Sequence, residues 1–288
     1  MSQSAHALPR DPTPFSHHGG PVGALLVHGF SGTPGELRPL SERLAAEGYS
    51  VEAPLLAGHG GGQDELGAVT WRDWVTSARA ALDALHARCH TVVLVGFSMG
   101  GAITLYMAAG GGRQARAPGE ANRDIAGIVT MSALTHINSP LTMLLPIARR
   151  VMPYVYPLRL RGIDLSRPEV IARLREYMPD LQVDPSSPAQ IAALRRDVKV
   201  SVGAVYQLNA LLRHMRAALP RVAAPALLIQ AAHDEQIPPS SIDAIYRQIG
   251  SRDKRMVRLE HSGHMLLAGP ERDEVIARVT AFMGQIGL

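Results

Sequence analysis

The chain is poor in cysteine and in lysine, and long apolar runs are missing altogether. One cysteine, Cys89, excludes an internal disulfide, and nothing demands an oxidising compartment. No apolar run reaches the ~20 residues that a membrane-spanning helix requires. The first fourteen residues have no apolar stretch of the secretory kind, so residues 1–14 are expected to form a flexible tail on a cytoplasmic protein. Lysine occurs only at Lys199 and Lys254, and the remaining basic residues are arginine. The pI of about 9.5 is not spread evenly, because residues 132–222 carry a net charge of +7 and the rest of the chain −3. No zinc-finger spacing or RNP-like aromatic string accompanies that basic stretch, which argues against nucleic acid as a partner. Dinucleotide and P-loop glycine patterns are absent, as are internal repeats. The string His86-x-x-Cys89-His90 lacks a further ligand of matching spacing, so no metal is expected and Cys89 reads as a small buried hydrophobe.

What is present is an alternation of short apolar runs and helical patterns. Residues 24–28, 49–53, 91–97 and 125–131 read as strands. Between them, residues 36–47, 71–86 and 102–109 show helical spacing. The stretch 91–97 is the clearest strand, β-branched and apolar throughout, as suits a strand buried on both faces. Such alternation implies βαβ units and a mainly parallel sheet. The rhythm breaks at residue 134, and as far as residue 218 the chain is helical or cut by prolines, with no clear strand. It resumes with a strand at 226–231, a helix at 241–249, a strand at 255–259 and a last helix at 271–286. One α/β domain with a helical insertion is expected, with an exposed loop over residues 110–124.

Gly96-Phe97-Ser98-Met99-Gly100 fits G-x-S-x-G at the junction of the clearest strand and the following helix. The pattern alone is weak; its position is what matters, because the motif is a tight strand-to-helix turn that lifts a serine hydroxyl above the sheet. Ser31 sits in the similar string Gly29-Phe30-Ser31-Gly32 but has Thr33 where the second glycine would be. A serine nucleophile needs a base, and the base needs an acid to orient it. The loop after strand 226–231 offers Asp234, with Glu235 as rival. The loop after strand 255–259 offers His264, with His261 as rival. Asp234 and His264 are preferred, Asp234 for its placement in the loop and His264 because Gly263 allows the turn that brings the ring inward. The N–H groups of Met99 and Phe30 are the expected oxyanion donors, with His28 and Gly29 beside the substrate. His59-Gly60-Gly61-Gly62 follows the wrong strand for that role and reads as a flexible loop near the site mouth.

These strings resemble the small bacterial carboxylesterase and monoacylglycerol lipase group of the α/β-hydrolases. The matching segments are Leu25-Leu26-Val27-His28-Gly29-Phe30, Gly58-His59-Gly60 within residues 55–60, the stretch 96–101, Asp234-Glu235 and His261-Ser262-Gly263-His264. The similarity runs from about Phe15 to the C-terminus and is weakest in the insertion. It implies an α/β-hydrolase core over residues 15–133 and 219–288, with a helical cap over 134–218 covering an acyl pocket. It also implies hydrolysis of short- to medium-chain esters or monoacylglycerols, without a cofactor, by a monomer or weak homodimer. The loop 110–124 is longer than the family's usual connection. Within the cap, Met143 and Met215 belong to two apolar runs that would roof the serine, and flexible methionines suit a pocket for varied acyl chains. The same machinery serves thioesterases and acyltransferases, and a non-catalytic ligand-binding protein can keep the fold, so those alternatives stay open at this point.

Overall fold

A computed structural model of the chain describes residues 8, 10–111, 125–160, 163–178 and 180–287. The expected loop 110–124 therefore lies outside the described residues apart from Gly110 and Gly111. The chain opens with β1 (Phe15–His17), β2 (Val22–Val27), α1 (Arg38–Ala46), β3 (Ser50–Ala53), α2 (Gln63–Ala68) and α3 (Trp71–His86). Then come β4 (Thr91–Phe97), α4 (Met99–Ala108) and β5 (Gly127–Met131). The insertion holds α5 (Leu145–Val151), β6 (Tyr154–Val155), α6 (Pro157–Leu160), α7 (Pro168–Tyr177), α8 (Pro188–Asp197) and β7 (Val200–Ser201), leading into α9 (Val202–Ala218). The chain closes with β8 (Ala226–Ala231), α10 (Ser240–Gln248), β9 (Lys254–Leu259) and α11 (Arg272–Ile286).

Seven strands form one sheet in the order β1-β3-β2-β4-β5-β8-β9, parallel except for β1, which pairs antiparallel with β3. β4 lies at the centre because its run of Val92, Val93, Leu94 and Val95 is fully buried, and only a strand covered on both faces can bury consecutive apolar residues. Alternate side chains feed two layers. Leu25 and Val27 meet Trp74, Ala78 and Leu82 of α3 on one face, while Ala24 and Leu26 meet Leu40 and Leu44 of α1 and Val279 of α11 on the other. Each large aliphatic side chain buried here contributes about 1.5–3 kcal/mol. α3 starts where its apolar stripe starts, and the Asp73 carboxylate accepts the N–H and hydroxyl of Thr70 at 2.8 and 2.7 Å, which satisfies groups left over at a helix N-terminus.

The fold is the expected α/β sheet flanked by helices, with differences that have physical causes. β1 is too short and too polar to show a strand pattern. The insertion does contain a strand pair: β6 and β7 form a two-residue antiparallel ribbon, held by backbone pairing rather than by apolar alternation. The insertion also has its own small core of Leu158, Leu165, Ile171 and Leu194. Its last helix, α9, instead joins the layer that contains α3 and α4. The expected flexible tail is docked where it is described. Leu8 is buried, the Asp11 carbonyl accepts the Gly35 N–H at 3.0 Å, and its carboxylate pairs with Arg38 at 2.9 Å. An apolar anchor and an ion pair fix that segment against the start of α1.

Candidate active site

Ser98 sits between β4 and α4 at φ 53° and ψ −116°, a conformation that strains any residue other than glycine. The flanking glycines are obligatory. A methyl on Gly96 would overlap the backbone of Gly100 and Gly101, and one on Gly100 would overlap the carbonyls of Val27 and His28. The turn is pinned from below by the Ser98 N–H, which donates to the Met131 carbonyl of the neighbouring strand at 2.8 Å.

The two loops at the C-terminal ends of β8 and β9 bring their side chains to this hydroxyl. His264 Nε2 lies 3.2 Å from Ser98 Oγ, and His264 Nδ1 lies 2.9 Å from Asp234 Oδ2. With Nδ1–H donating to the carboxylate, Nε2 carries the lone pair that faces the serine. All three residues are buried. Burial pushes the Asp234 pKa upward, while the His264 hydrogen bond and charge pull it down. The N–H groups of Ile237 and Gln236 add to that effect, and the carboxyl ends below its ordinary value. The other Asp234 oxygen, Oδ1, accepts both of these N–H groups at 2.8 and 3.0 Å. Glu271 was not foreseen: its carboxylate takes the N–H groups of Glu260 and His261 and the Ser262 hydroxyl, holding the loop that carries His264. The rivals point elsewhere. Glu235 pairs with Arg173 at the surface, and the exposed His261 is held by its backbone.

Across the cavity, the Gly32 N–H closes the turn 29–32 onto the Gly29 carbonyl at 3.2 Å. That carbonyl also receives His28 Nδ1–H at 3.0 Å, while His28 Nε2 accepts the Leu56 N–H at 3.2 Å. His28 is fully buried with both nitrogens engaged, and burial, reinforced by His59, lowers its pKa to about 3. It therefore does not reach substrate, contrary to expectation. Its ring fixes the peptide unit between Gly29 and Phe30. Among the described residues no backbone acceptor takes the N–H of Phe30 or of Met99. His59 is not a loose loop residue either: it is buried edge-on to His28 and Trp74, and burial lowers its pKa to about 4. Ser31, at φ 59°, accepts a hydrogen bond from the Gln63 amide on its hydroxyl, and among the described residues no histidine or carboxylate is hydrogen-bonded to it.

A cavity of about 1290 Å³ opens over Ser98 and His264. Its walls include Phe30 and Glu36 from the core and Leu158, Leu174, Val205 and Leu208 from the insertion. Neither expected methionine lines it. Met143, on a 3-10 turn, is 84% exposed, and Met215 is fully buried on the face of α9 that joins the sheet layer. Only the N-terminal half of α9 reaches the cavity, so a stripe read as pocket lining is mostly core. No group of three or more His, Cys, Asp and Glu side chains converges to hold a metal among the described residues.

A family model described as serine aminopeptidase, S33 (Hydrolase_4) matches residues 23–271. The chain belongs to this hydrolase family. The hydrolase is 32% identical over 272 residues, 94% of each chain, to the thermostable monoacylglycerol lipase of Bacillus sp. (strain H-257). It is 26% identical over 277 residues to the carboxylesterase of Bacillus subtilis (strain 168), covering 96% of this chain and 97% of that one. Among solved structures it superposes with TM-score 0.75 on one described under LipS and LipT, two metagenome-derived lipolytic enzymes. That match has 28% identity and covers 97% of the hydrolase and 100% of the other chain. The monoacylglycerol lipase of Paleococcus ferrophilus shares the fold, with TM-score 0.70 and 17% identity over 95% and 98% of the two chains. These relatives put the hydrolase among the carboxylic ester hydrolases. No helix among its described residues is long and apolar enough to cross a membrane.

Proposed function

We propose that the hydrolase cleaves carboxylic esters, of short- to medium-chain acids or of monoacylglycerols, through an acyl-serine intermediate. The observation that carries this reading is the hydrogen-bonded series from Ser98 Oγ through His264 to Asp234, lying at the floor of a large, partly apolar cavity. Ser98 Oγ attacks the ester carbonyl carbon and His264 Nε2 takes its proton. Asp234 holds the tautomer and offsets the charge of the imidazolium that forms. The N–H groups of Phe30 and Met99 stabilise the oxyanion. Collapse of the tetrahedral intermediate breaks the bond to the alkoxy oxygen, which leaves as the alcohol with the proton from His264. A water then adds to the acyl-serine by the same route in reverse, releasing the acid and restoring Ser98. A cytoplasmic setting and a monomer or weak homodimer complete the proposal.

A panel of p-nitrophenyl esters and monoacylglycerols of increasing acyl length, run with the wild type and Ser98→Ala, tests it. Turnover that rises and then falls with chain length, and disappears in Ser98→Ala, is expected. Inactivity across both series, or equal turnover by Ser98→Ala, would refute it.

A further inference from the structure

Gly29, in the oxyanion turn, has both of its backbone polar groups held. Its carbonyl is taken by His28 Nδ1–H and the Gly32 N–H, and its own N–H donates to Glu36 Oε2 at 3.1 Å. Glu36 comes from the 3-10 turn Pro34–Leu37 that follows, and its side chain folds back over the loop. The carboxyl fills the space where a side chain at position 32 would begin, so a methyl on Gly32 would overlap it. The residue is partly open to the cavity. Burial nevertheless drives its pKa up to about 7, against the opposing Gly29 N–H bond and the Arg10 charge. A group so costly to bury has to be held by what it touches, and the backbone N–H it holds is that of Gly29.

We propose that Glu36 is a positioning residue that fixes the oxyanion turn through the backbone N–H of Gly29. The inference rests on the reading of the Phe30 N–H as an oxyanion donor. That N–H belongs to the same planar peptide unit as the Gly29 carbonyl, so any rotation about Gly29 swings it out of line. Glycine has no side chain to resist the rotation. His28 and Gly32 grip the unit from the carbonyl side, and Glu36 grips the preceding peptide. Removing Glu36 leaves Gly29 hinged on one side only.

The test uses the full chain as wild type, Glu36→Gln, Glu36→Asn, Glu36→Ala, Gly32→Ala and the Glu36→Ala/Gly32→Ala double variant. Each is measured for kcat and KM on p-nitrophenyl butyrate and for affinity to an alkyl trifluoromethyl ketone, which binds serine as a tetrahedral oxyanion. Glu36→Ala is expected to lower kcat about 10- to 100-fold, toward the loss of one oxyanion donor, with KM changed about twofold at most. Ketone affinity should fall by the same factor as kcat/KM, which a general loss of packing would not produce. Glu36→Gln keeps an amide carbonyl in place of Oε2 and should stay within about threefold of wild type, whereas Glu36→Asn, one methylene shorter, should not. Gly32→Ala should mimic Glu36→Ala by displacing the carboxyl, and the double variant should be no worse than either single one. Wild-type kcat and ketone affinity in Glu36→Ala would overturn the proposal, as would losses that multiply in the double variant. If the alanine variants do not fold, the Gln and Asn pair decides. Ser98→Ala run alongside separates the two claims. Its inactivity beside an unimpaired Glu36→Ala overturns this inference alone, whereas turnover surviving Ser98→Ala overturns the reading beneath it.

Discussion

At Ser98 the chain keeps a left-handed backbone that costs about 1–3 kcal/mol, and the two flanking glycines make it possible by leaving room for the crossing chains. Gly100→Ala is therefore expected to destabilise the fold by more than about 3 kcal/mol or prevent expression, since the obstruction is backbone and cannot move aside. A thermal or urea melt reads the difference, and an unchanged midpoint would contradict the packing described here. The polar side chains act as a unit, so His264→Ala should cost about as much turnover as Ser98→Ala, on the order of 10⁴-fold, with Asp234→Asn somewhat less. Circular dichroism should be unchanged in all three. The tight turn around Ser98 was legible at this scale because glycine spacing is a backbone requirement written in the sequence. Glu36, Glu271 and the true task of His28 were not, because each acts on a backbone N–H or carbonyl that no residue pattern announces.

Elements differed in how plainly their sequences announced them. β4, β8 and α3 coincide with the expected ranges, since full burial or a single apolar stripe leaves little choice of boundary. β2 begins two residues before the expected strand and ends before His28, whose ring is needed for hydrogen bonds rather than sheet packing. The insertion was harder to read. Helices α6, α7 and α8 are short and proline-started, and one apolar stripe, on the longer α9, serves both the core and the cavity. Leu208 and Leu174, not Met143 and Met215, are the insertion residues to alter. Leu208→Trp or Leu174→Trp should shift the preferred ester toward shorter chains, each lost methylene contact being worth ~0.8 kcal/mol. Met143→Trp, at an exposed position, should leave the optimum where it was. A p-nitrophenyl ester series for the three variants checks this, and a shift confined to Met143→Trp would place the acyl chain elsewhere. The Arg173–Glu235 pair joins α7 to the loop of Asp234 at the surface. Arg173→Ala should cost less than about 1 kcal/mol of stability.

For the molecule as a whole, His28, His59 and Glu36, whose pKa values are strongly shifted, bias the response to pH in opposing senses. His28 and His59 have folded pKa values of about 3 and about 4 against an ordinary 6.5, so unfolding takes up protons below neutrality. Their contribution is complete above pH 6.5 and is lost as the pH falls through 4 and 3. Glu36 acts the other way. Its pKa is raised from 4.5 to about 7, so its contribution is complete below pH 4.5 and is lost as the pH rises through 7. Glu36→Gln removes that loss. Relative to wild type, the variant should gain about 1–3 kcal/mol between pH 4.5 and 8, read as a widening difference in Tm across that range. A difference independent of pH would contradict the burial of this carboxyl.

The proposed ester cleavage depends on Ser98 as the nucleophile. Treating the protein with an alkyl fluorophosphonate and mapping the adduct by peptide mass spectrometry checks this, because an activated serine displaces fluoride from phosphorus far faster than an ordinary hydroxyl does. One adduct per chain is expected, on Ser98, formed slowly or not at all in His264→Ala and lost in Ser98→Ala. An adduct on Ser31, or labelling and turnover that both survive Ser98→Ala, would contradict it.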